Sequence, residues 1–322
     1  MRRATIIGAG VAGLTVATEL QAAGFKTVIV DRADGQGPAQ CSWWAGGMLA
    51  PWCERESAEE PVVTLGVEAA DWWERNGAVV RRNGTLVVAP GRDRSELQRF
   101  ARRTRNFETL DGAGVAAVEP ALEGRFSTGL FFPEEAHLTP RQAIAALAEG
   151  VVARGGRIRF GVEAEDAPEA DVVVDCRGLA AGLADLRGVK GEMLVIRTPE
   201  IEFSRPVRLL HPRHPIYVVP RGDGVFMLGA TMIESDDRAR LTVRSMLELL
   251  GAAYALHPAF AEAEVLEIGV DARPAFPDNL PRAFWRDGRL HVNGFYRHGF
   301  LLSPALARQA AGLALAAMEE KV

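Results

Sequence analysis

ATIIGAGVAGLTVATELQAAGFKTVIVD, residues 4–31, carries the clearest structural pattern in the sequence. A β-branched apolar run leads into a glycine turn, an Ala-rich helical stretch and a second apolar run. Gly8, Gly10 and Gly13 have the G-x-G-x-x-G spacing directly after the first run, and Gly24 stands where a helix commonly ends. The stretch therefore predicts a strand, helix and second strand of an α/β sheet.

The three glycines of this turn suit a nucleotide-binding site. Gly8 allows a tight turn, Gly10 lets the backbone approach a pyrophosphate, and Gly13 lets helix and strand pack closely. The helix N-terminus then offers free N–H groups to the phosphates, and Asp31 lies where a carboxylate bonds a ribose hydroxyl. NAD and FAD both use this pattern. Because the chain contains a single such pattern, FAD here would take electrons from a small molecule bound directly at the flavin.

The rest of the chain predicts a second domain. DVVVDCRG, residues 171–178, indicates another strand of the first sheet, whereas residues 79–89 and 215–232 place Asn-Gly and Gly-Asp-Gly between β-rich runs, which is typical of hairpins. Helical patterns cover residues 95–104 and 244–256. We expect an antiparallel sheet domain of the α+β type inserted into a Rossmann-like α/β domain.

The predicted nucleotide-binding domain is discontinuous. It comprises residues 1–80, 137–190 and 267–322. The inserted domain comprises residues 81–136 and 191–266.

Composition excludes several classes of protein. The net charge is −5 and the basic residues are dispersed, so no basic surface for nucleic acid is expected. Three cysteines without CxxC spacing indicate neither a disulfide framework nor a zinc site, and no metal site is predicted. No apolar run approaches the roughly 20 residues that span a bilayer. A soluble, cytoplasmic protein is expected.

The segment from residue 289 to residue 312 is a candidate ligand loop. RLHVNG predicts a final strand, and Ser303-Pro304 has the cap and first-turn residue of a helix start. The loop between them, FYRHGFLL, would open onto the crevice at the carboxyl ends of the strands. A surface loop with solvated Arg297 and His298 is the alternative.

Seven motifs, in this order and spacing, resemble a known family. They are GAGVAG, AGGMLAPWCE (45–54), HLTP (137–140), VKGEML (189–194), IYVVPR followed by GATM, DARPAFPD (271–278) and GFYRHGFLLSPA. The chain resembles the FAD-dependent amino-acid oxidases of the D-amino-acid oxidase superfamily, and within it the glycine oxidases of thiamine biosynthesis. The resemblance covers most of the chain and favours FAD over NAD.

The resemblance implies a substrate site over the flavin. Arg273 matches the arginine that pairs with the substrate carboxylate, and Tyr217 matches the tyrosine that bonds the same group. Arg297 matches the arginine of the loop beside the flavin, where its side chain or backbone contacts the substrate, so the resemblance implies a catalytic site of Tyr217, Arg273 and Arg297. Met48, Glu54 and Met232 match positions near the flavin or pocket. The cofactor contacts that motif and resemblance together imply are Gly8, Gly10, Val11, Ala12, Gly13, Asp31, Arg32, Gly47, Met48, Val162, Gly178, Arg297, His298, Gly299 and Leu301.

The family's chemistry, transferred to this chain, is oxidation of a small amino acid or amine. The Cα hydrogen would pass to the flavin, and oxygen would reoxidise the flavin to give hydrogen peroxide. The imino acid would be hydrolysed or captured, as a supply of dehydroglycine for the thiamine thiazole. A helix N-terminus near Ser303 could stabilise negative charge on the reduced flavin. A homo-oligomer is compatible with these features.

Three departures leave alternatives open. The chain has Trp43 and Trp44 where relatives have small residues, DARP in place of GLRP, and GFYRHG in place of GHYRNG. The indoles would favour a small substrate, or they belong to the core or an interface. A D-amino-acid oxidase, a sarcosine or other secondary-amine oxidase, a dehydrogenase with another electron acceptor, and a non-catalytic flavoprotein are the competing interpretations. Arg273 and Tyr217 together argue against the last.

Overall fold

The computed structural model describes residues 2–319, so residue 1 and residues 320–322 of the expected nucleotide-binding domain lie outside the described residues. The helices are α1 Val11–Ala22, α2 Pro51–Glu54, α3 Glu60–Gly66, α4 Ala69–Arg75, α5 Arg94–Arg103, α6 Gly112–Val118, α7 Pro140–Ala153, α8 Val243–Leu256 and α9 Gly299–Glu319. The strands are β1 Arg3–Ile7, β2 Lys26–Asp31, β3 Met48–Leu49, β4 Val80–Arg81, β5 Thr85–Val88, β6 Glu108–Asp111, β7 Thr128–Phe132, β8 Ala136–Leu138, β9 Arg157–Phe160, β10 Val172–Asp175, β11 Arg187–Arg197, β12 Val207–Leu209, β13 Ile216–Gly222, β14 Val225–Gly229, β15 Ile233–Glu234, β16 Glu264–Ala275, β17 Arg282–Arg286 and β18 Arg289–Asn293.

The first sheet is the predicted Rossmann-like sheet. Its strand order is β17-β18-β10-β1-β2-β9, and β1 pairs in parallel with β2 and β10. The strand, helix and strand predicted for residues 4–31 are confirmed, as is the strand predicted within residues 171–178. Helix α1 is buried on nearly every side because α7 and α9 also pack against it, which explains its apolar composition.

The second sheet has nine strands and is mostly antiparallel. Strands β13 and β14 form the hairpin predicted within residues 215–232. At its turn Asp223 has φ +53° between Gly222 and Gly224, a left-handed conformation that aspartate tolerates better than most residues. Helix α8 packs on one face of this sheet, over buried residues such as Leu194 and Phe226. The fold class predicted from the sequence is confirmed.

The prediction of a hairpin within residues 79–89 is wrong. Strand β4 pairs with β8 in a small third sheet of β3, β8 and β4, whereas β5 pairs with β7 and β12 in the large sheet. Gly84 has φ +75°, and its N–H donates to the carbonyl of Glu135 rather than across a hairpin. The Asn-Gly pair therefore marks the point where the chain passes from one sheet to another.

The long strands β11 and β16 tie the expected domains together. They pair along their whole lengths, from Arg187 opposite Ala275 to Arg197 opposite Glu264. The boundaries expected at 190/191 and 266/267 fall inside these strands, and those at 80/81 and 136/137 fall inside β4 and β8. We propose that the two domains share these strands instead of being joined by linkers.

Helix α9 begins at Gly299, one turn earlier than the Ser303 predicted from the sequence, and Pro304 lies inside it. Proline has no N–H to donate to the carbonyl four residues earlier. That carbonyl, on Phe300, accepts a hydrogen bond from Trp73 Nε1 at 2.8 Å instead. The indole of α4 therefore replaces the missing helical bond, and the helix continues.

By length and composition α9 is the one helix within residues 2–319 that could cross a membrane. Of its apolar window, 61% is buried inside the fold, where Leu302 and Leu306 face the core beside α1. Arg308 and Gln309 interrupt the apolar sequence of this helix. Its burial is that of a core helix.

Candidate active site

One cavity extends from the carboxyl ends of the parallel strands to the inner side of the large sheet. Its volume is about 590 Å³, a size typical of cofactor and ligand sites. The sequence-predicted site residues that line it are Gly8, Gly10, Val11, Ala12, Asp31, Arg32, Gly47, Met48, Glu54, Val162, Gly178, Tyr217, Met232, Arg273, Arg297, His298, Gly299 and Leu301. Gly13 does not line it. A Cβ atom on Gly13 would lie 1.8 Å from the Gly8 carbonyl oxygen, so this glycine serves packing.

The glycine turn after β1 forms a cradle without room for side chains. Gly8 has φ +107°, and a Cβ atom there would lie 2.8 Å from the Cys176 carbonyl oxygen. At the start of α1, Val11 donates its N–H to Ser42 Oγ at 3.1 Å, whereas the N–H groups of Ala12 and Gly13 have no acceptor among residues 2–319. Such N–H groups at a helix N-terminus bind phosphate. The turn therefore fits the pyrophosphate of FAD.

Asp31 ends β2 at the wall of the cavity, as the sequence predicts. Its Oδ2 atom accepts from Ala9 N at 2.7 Å and from Gln40 Nε2 at 3.2 Å, and its Oδ1 atom accepts from Ala33 N at 2.9 Å. The carboxylate therefore orders the backbone around the turn. A ribose hydroxyl bound here would donate to the Asp31 carboxylate, which these hydrogen bonds already hold in place.

Three glycines make room for Tyr217 and Arg273 at the other end of the cavity. A Cβ atom on Gly229 would lie 2.4 Å from Tyr217 Cζ, and one on Gly46 would lie 3.0 Å from Tyr217 Cε2. A Cβ atom on Gly191 would lie 2.2 Å from Arg273 Nη2. Sequence reasoning missed these three roles. For Gly191 and Gly229 the available signal was glycine inside a strand-like pattern, which often marks a close approach.

The polar ends of Tyr217 and Arg273 remain available to a ligand. Burial raises the pKa of Tyr217, so its hydroxyl stays a proton donor at neutral pH. Arg273 donates from Nη1 to the carbonyl of Thr231 at 3.1 Å, and no carboxylate within residues 2–319 forms an ion pair with it. A guanidinium beside a phenol, both bordering a cavity, suits a carboxylate ligand.

Glu54 is the centre of a buried charge cluster beside this end of the cavity. Its carboxylate pairs with Arg208, and its Oε2 atom lies 2.9 Å from Arg297 Nη2 and 3.5 Å from His298 Nδ1. Arg297 also donates to Ser57 Oγ at 2.6 Å. Burial alone would raise the pKa of Glu54, but Arg297 and Arg208 outweigh it and hold that pKa well below its ordinary value. Glu54 is therefore ionised.

The guanidinium of Arg297 is bound by side chains of the protein itself. Its side chain borders the cavity, as expected, but its guanidinium is held by Glu54 and Ser57. Sequence reasoning missed Arg208, whose signal was an arginine between Val207 and Leu209 in a short apolar run. The three segments that carry Glu54, Arg208 and Arg297 meet only in the folded chain.

The loop before α9 is fixed to the strand that carries Arg273. Tyr296 N donates to the Pro274 carbonyl at 2.7 Å, and Tyr296 has φ +51°. Phe295 is buried beneath the loop, and burial lowers the pKa of His298 to about 4. His298 is therefore neutral at physiological pH. The solvated alternative for this loop is excluded, since His298 is only 3% exposed.

Trp43 and Trp44 form a stack with an arginine at the edge of the cavity. The guanidinium of Arg141 lies 4.5 Å from the ring centre of Trp43 and 5.5 Å from that of Trp44. The same guanidinium makes two bonds of 2.8 Å to Glu267 on β16. Trp44 also borders the cavity. Arg141 thus joins helix α7 to the large sheet, and both indoles pack against its guanidinium.

Comparison with known proteins shows the family of this chain. Residues 3–313 match the DAO family model, described as FAD dependent oxidoreductase. A Rhizobium etli protein named as a thiamine biosynthesis oxidoreductase, ThiO, is 59% identical over 96% of this chain and 95% of its own. A Pseudomonas aeruginosa glycine oxidase is 26% identical over 97% of this chain and 94% of its own. Glycine oxidase from Bacillus cereus shares the fold, with a TM-score of 0.81 at 24% identity over 98% and 95% of the two chains. The chain therefore belongs to the FAD-dependent oxidoreductases of the D-amino-acid oxidase family, as its motifs predicted, and FAD is its cofactor.

Proposed function

We propose that this oxidoreductase converts glycine, or another small amino acid or amine, to the corresponding imino acid. The observation that carries the proposal is that Tyr217 and Arg273 border the same cavity, and that Arg273 has no carboxylate partner within residues 2–319. Both border the cavity that also contains the phosphate-binding turn. A substrate carboxylate would complete this arrangement.

The two residues would bind and orient the substrate. A guanidinium offers two parallel donors to a carboxylate, and a phenol adds a third donor, so one end of the substrate would be immobilised. Holding that end determines where the Cα hydrogen points, which supplies much of the rate enhancement in such a reaction. Bound FAD supplies a two-electron acceptor for that hydrogen and, after reduction, a donor to oxygen that yields hydrogen peroxide.

A small substrate is supported by the walls of the cavity. The Tyr217 ring is seated against Gly46 and Gly229, and Trp44 closes another side. We expect these walls to limit the size of the side chain on the Cα of a bound substrate. Glycine and small amines are therefore the preferred candidates.

A place in thiamine biosynthesis is supported by the Rhizobium etli relative, at 59% identity. We propose that the imino product of glycine, dehydroglycine, is supplied for synthesis of the thiazole ring. Because an imine hydrolyses in water, a consuming enzyme must capture it soon after release. A cytoplasmic location and oxygen as the electron acceptor belong to the same proposal.

The experiment is anaerobic reduction followed by reoxidation. The purified yellow protein is mixed in separate anaerobic experiments with glycine, sarcosine, D-alanine and D-proline, and the flavin absorbance is followed. Air is then admitted, and peroxide is assayed. We expect bleaching by glycine and peroxide on reoxidation. Bleaching without peroxide would indicate a dehydrogenase, and no bleaching by any of the four would contradict the proposal.

Arg273→Met and Arg282→Met form the matched pair for this experiment. Arg282 is an exposed arginine on β17 that pairs with Asp278. We expect Arg273→Met to retain FAD yet bleach only at much higher glycine concentration, whereas Arg282→Met behaves as the wild type. Loss of FAD from Arg273→Met would mean that Arg273 supports the cofactor instead.

A further inference from the structure

Arg221, on β13, is a half-buried arginine whose side chain bonds backbone carbonyls. Its Nη2 atom donates to the carbonyls of Gly46 at 2.9 Å and Ala45 at 3.3 Å, and its Nη1 atom donates to the carbonyl of Leu138 at 3.2 Å. No carboxylate within residues 2–319 forms an ion pair with it. Burial lowers the pKa of Arg221 to about 10, which leaves it charged at neutral pH.

Two of the three carbonyls, those of Ala45 and Gly46, belong to a segment that borders the cavity, and the third, that of Leu138, belongs to β8. Residues 45–48 line it, whereas Arg221 itself does not. Leu138 N donates to the Gly47 carbonyl at 2.9 Å, and a Cβ atom on Gly47 would lie 2.3 Å from the Leu138 carbonyl oxygen. The guanidinium, which does not line the cavity, therefore connects the backbone of residues 45–46 to that of Leu138.

Arg221 also shares a strand with Tyr217. Arg221 lies four positions after Tyr217, at the irregularity of β13 where the register with β14 shifts between Pro220 and Gly222. The Tyr217 ring packs against Gly46, since a Cβ atom on Gly46 would lie 3.0 Å from the ring. Arg221 donates a hydrogen bond to the carbonyl of the same glycine. One strand therefore touches Gly46 twice.

We propose that Arg221 is a positioning residue that fixes the backbone of residues 45–47 against Tyr217 and thereby sets the geometry of both the FAD site and the substrate site. A planar guanidinium can reach carbonyls on two backbone segments at once. An ammonium group at the end of a lysine cannot span both with the same geometry. The substrate half of this inference rests on the proposed function, whereas the cofactor half does not.

Arg125 offers a matched control. It too donates to two backbone carbonyls, those of Leu256 at 2.7 Å and Ala255 at 3.4 Å, and it pairs with no carboxylate within the described part of the chain. It does not line the cavity. Arg125→Met therefore removes the same kind of contact away from the site.

The first experiment measures FAD affinity and backbone protection without turnover. The dissociation constant of FAD is determined by fluorescence on apoprotein, and amide hydrogen exchange is followed in peptides that cover residues 45–49. We expect Arg221→Met to weaken FAD binding by at least tenfold and to accelerate exchange in those peptides. Arg125→Met should stay within twofold of the wild type in both. Changes of less than twofold in both the FAD dissociation constant and the exchange rates of Arg221→Met would overturn the proposal.

The second experiment couples Arg221 to Tyr217. A double-mutant cycle of Arg221→Met and Tyr217→Phe is read out as the dissociation constant of glycine from the reductive titration. We expect the effects on glycine binding to be non-additive by at least threefold, whereas the cycle with Arg125→Met should be additive. Additive effects for Arg221 would overturn the link to Tyr217.

Arg221→Lys keeps the test decisive if Arg221→Met does not fold. It retains the charge but not the planar fork, so we expect FAD binding that is three- to tenfold weaker than in the wild type. Wild-type affinity in Arg221→Lys would overturn the positioning role. Because FAD affinity needs no substrate, failure of all amines to bleach the flavin would contradict only the proposed function.

Discussion

Glu54 Oε2 lies 2.9 Å from Arg297 Nη2, and the same buried carboxylate pairs with Arg208. One anion thus neutralises part of the charge of two arginines at the edge of the cavity. The pair joins residues that are far apart in sequence. Arg273, in contrast, lines this end of the cavity and has no carboxylate partner among residues 2–319.

Glu54→Gln should therefore be strongly destabilising. The amide leaves two largely buried guanidinium groups without their shared counter-charge, which costs about 3 kcal/mol. The free energy of unfolding from denaturant titration of the FAD-bound protein measures this. Glu134→Gln, at an exposed position, is the control and should change it by less than about 0.5 kcal/mol. Equal stabilities for the two variants would contradict a role for Glu54 in charge neutralisation.

The pH dependence of stability should contain a contribution from Glu135. This side chain is fully buried, accepts from Cys53 N at 2.7 Å, and has its pKa raised by burial from 4.5 to about 7. A raised pKa in the folded state means that stability present below pH 4.5 is lost as pH rises through 7. Glu135→Gln mimics the protonated acid and should lack this loss.

We expect the stability of the wild type relative to Glu135→Gln to fall by about 3 kcal/mol between pH 4.5 and pH 8.5. Urea unfolding of both proteins at several pH values gives this difference, and groups common to both cancel. Parallel stability curves would show that Glu135 does not titrate in this range.

Gly191→Ala should disturb substrate binding while the fold is retained. Its Cβ atom would lie 2.2 Å from Arg273 Nη2, at the flexible end of that side chain, so the guanidinium must move. Loss of one charged hydrogen bond costs about 1.5 to 3 kcal/mol, which corresponds to about a tenfold to hundredfold increase in the KM for glycine. Gly251→Ala, which meets nothing within 4 Å, should leave KM unchanged. A normal KM for Gly191→Ala would contradict the role assigned to Arg273.

Trp73→Phe should destabilise the protein through helix α9. It removes the donor to the Phe300 carbonyl and leaves a buried acceptor unpaired, at a cost of about 2 kcal/mol. Adding Pro304→Ala restores a helical N–H for that carbonyl, so the double variant should recover about half of the loss. Trp285→Phe, at an exposed site, is the control. Full additivity of Trp73→Phe and Pro304→Ala would show that the two groups do not share this carbonyl.

The local parts of the fold could be predicted because they depend on neighbours in sequence. The glycine turn, the first helix and the strands around it follow from periodicity and from conformations that suit glycine, as does the hairpin around Asp223. The Asn83-Gly84 prediction failed because the same dipeptide suits any sharp change of direction. Partners of β4 and β5 are chosen by distant strands, which the local pattern does not contain.

The family, and with it FAD, was determined by the sequence alone, because motifs in order and spacing identify a shared ancestor. The substrate roles of Tyr217 and Arg273 remain predictions, although both residues border the predicted cavity. Only the tertiary structure decided what surrounds them: the glycines that give them room, the Glu54 carboxylate that holds Arg297, and Arg221 behind Gly46. These contacts join residues 46, 54, 191, 208, 221, 229 and 297. Such pairings arise when separate segments pack against one another, so they leave no periodic trace in any one segment.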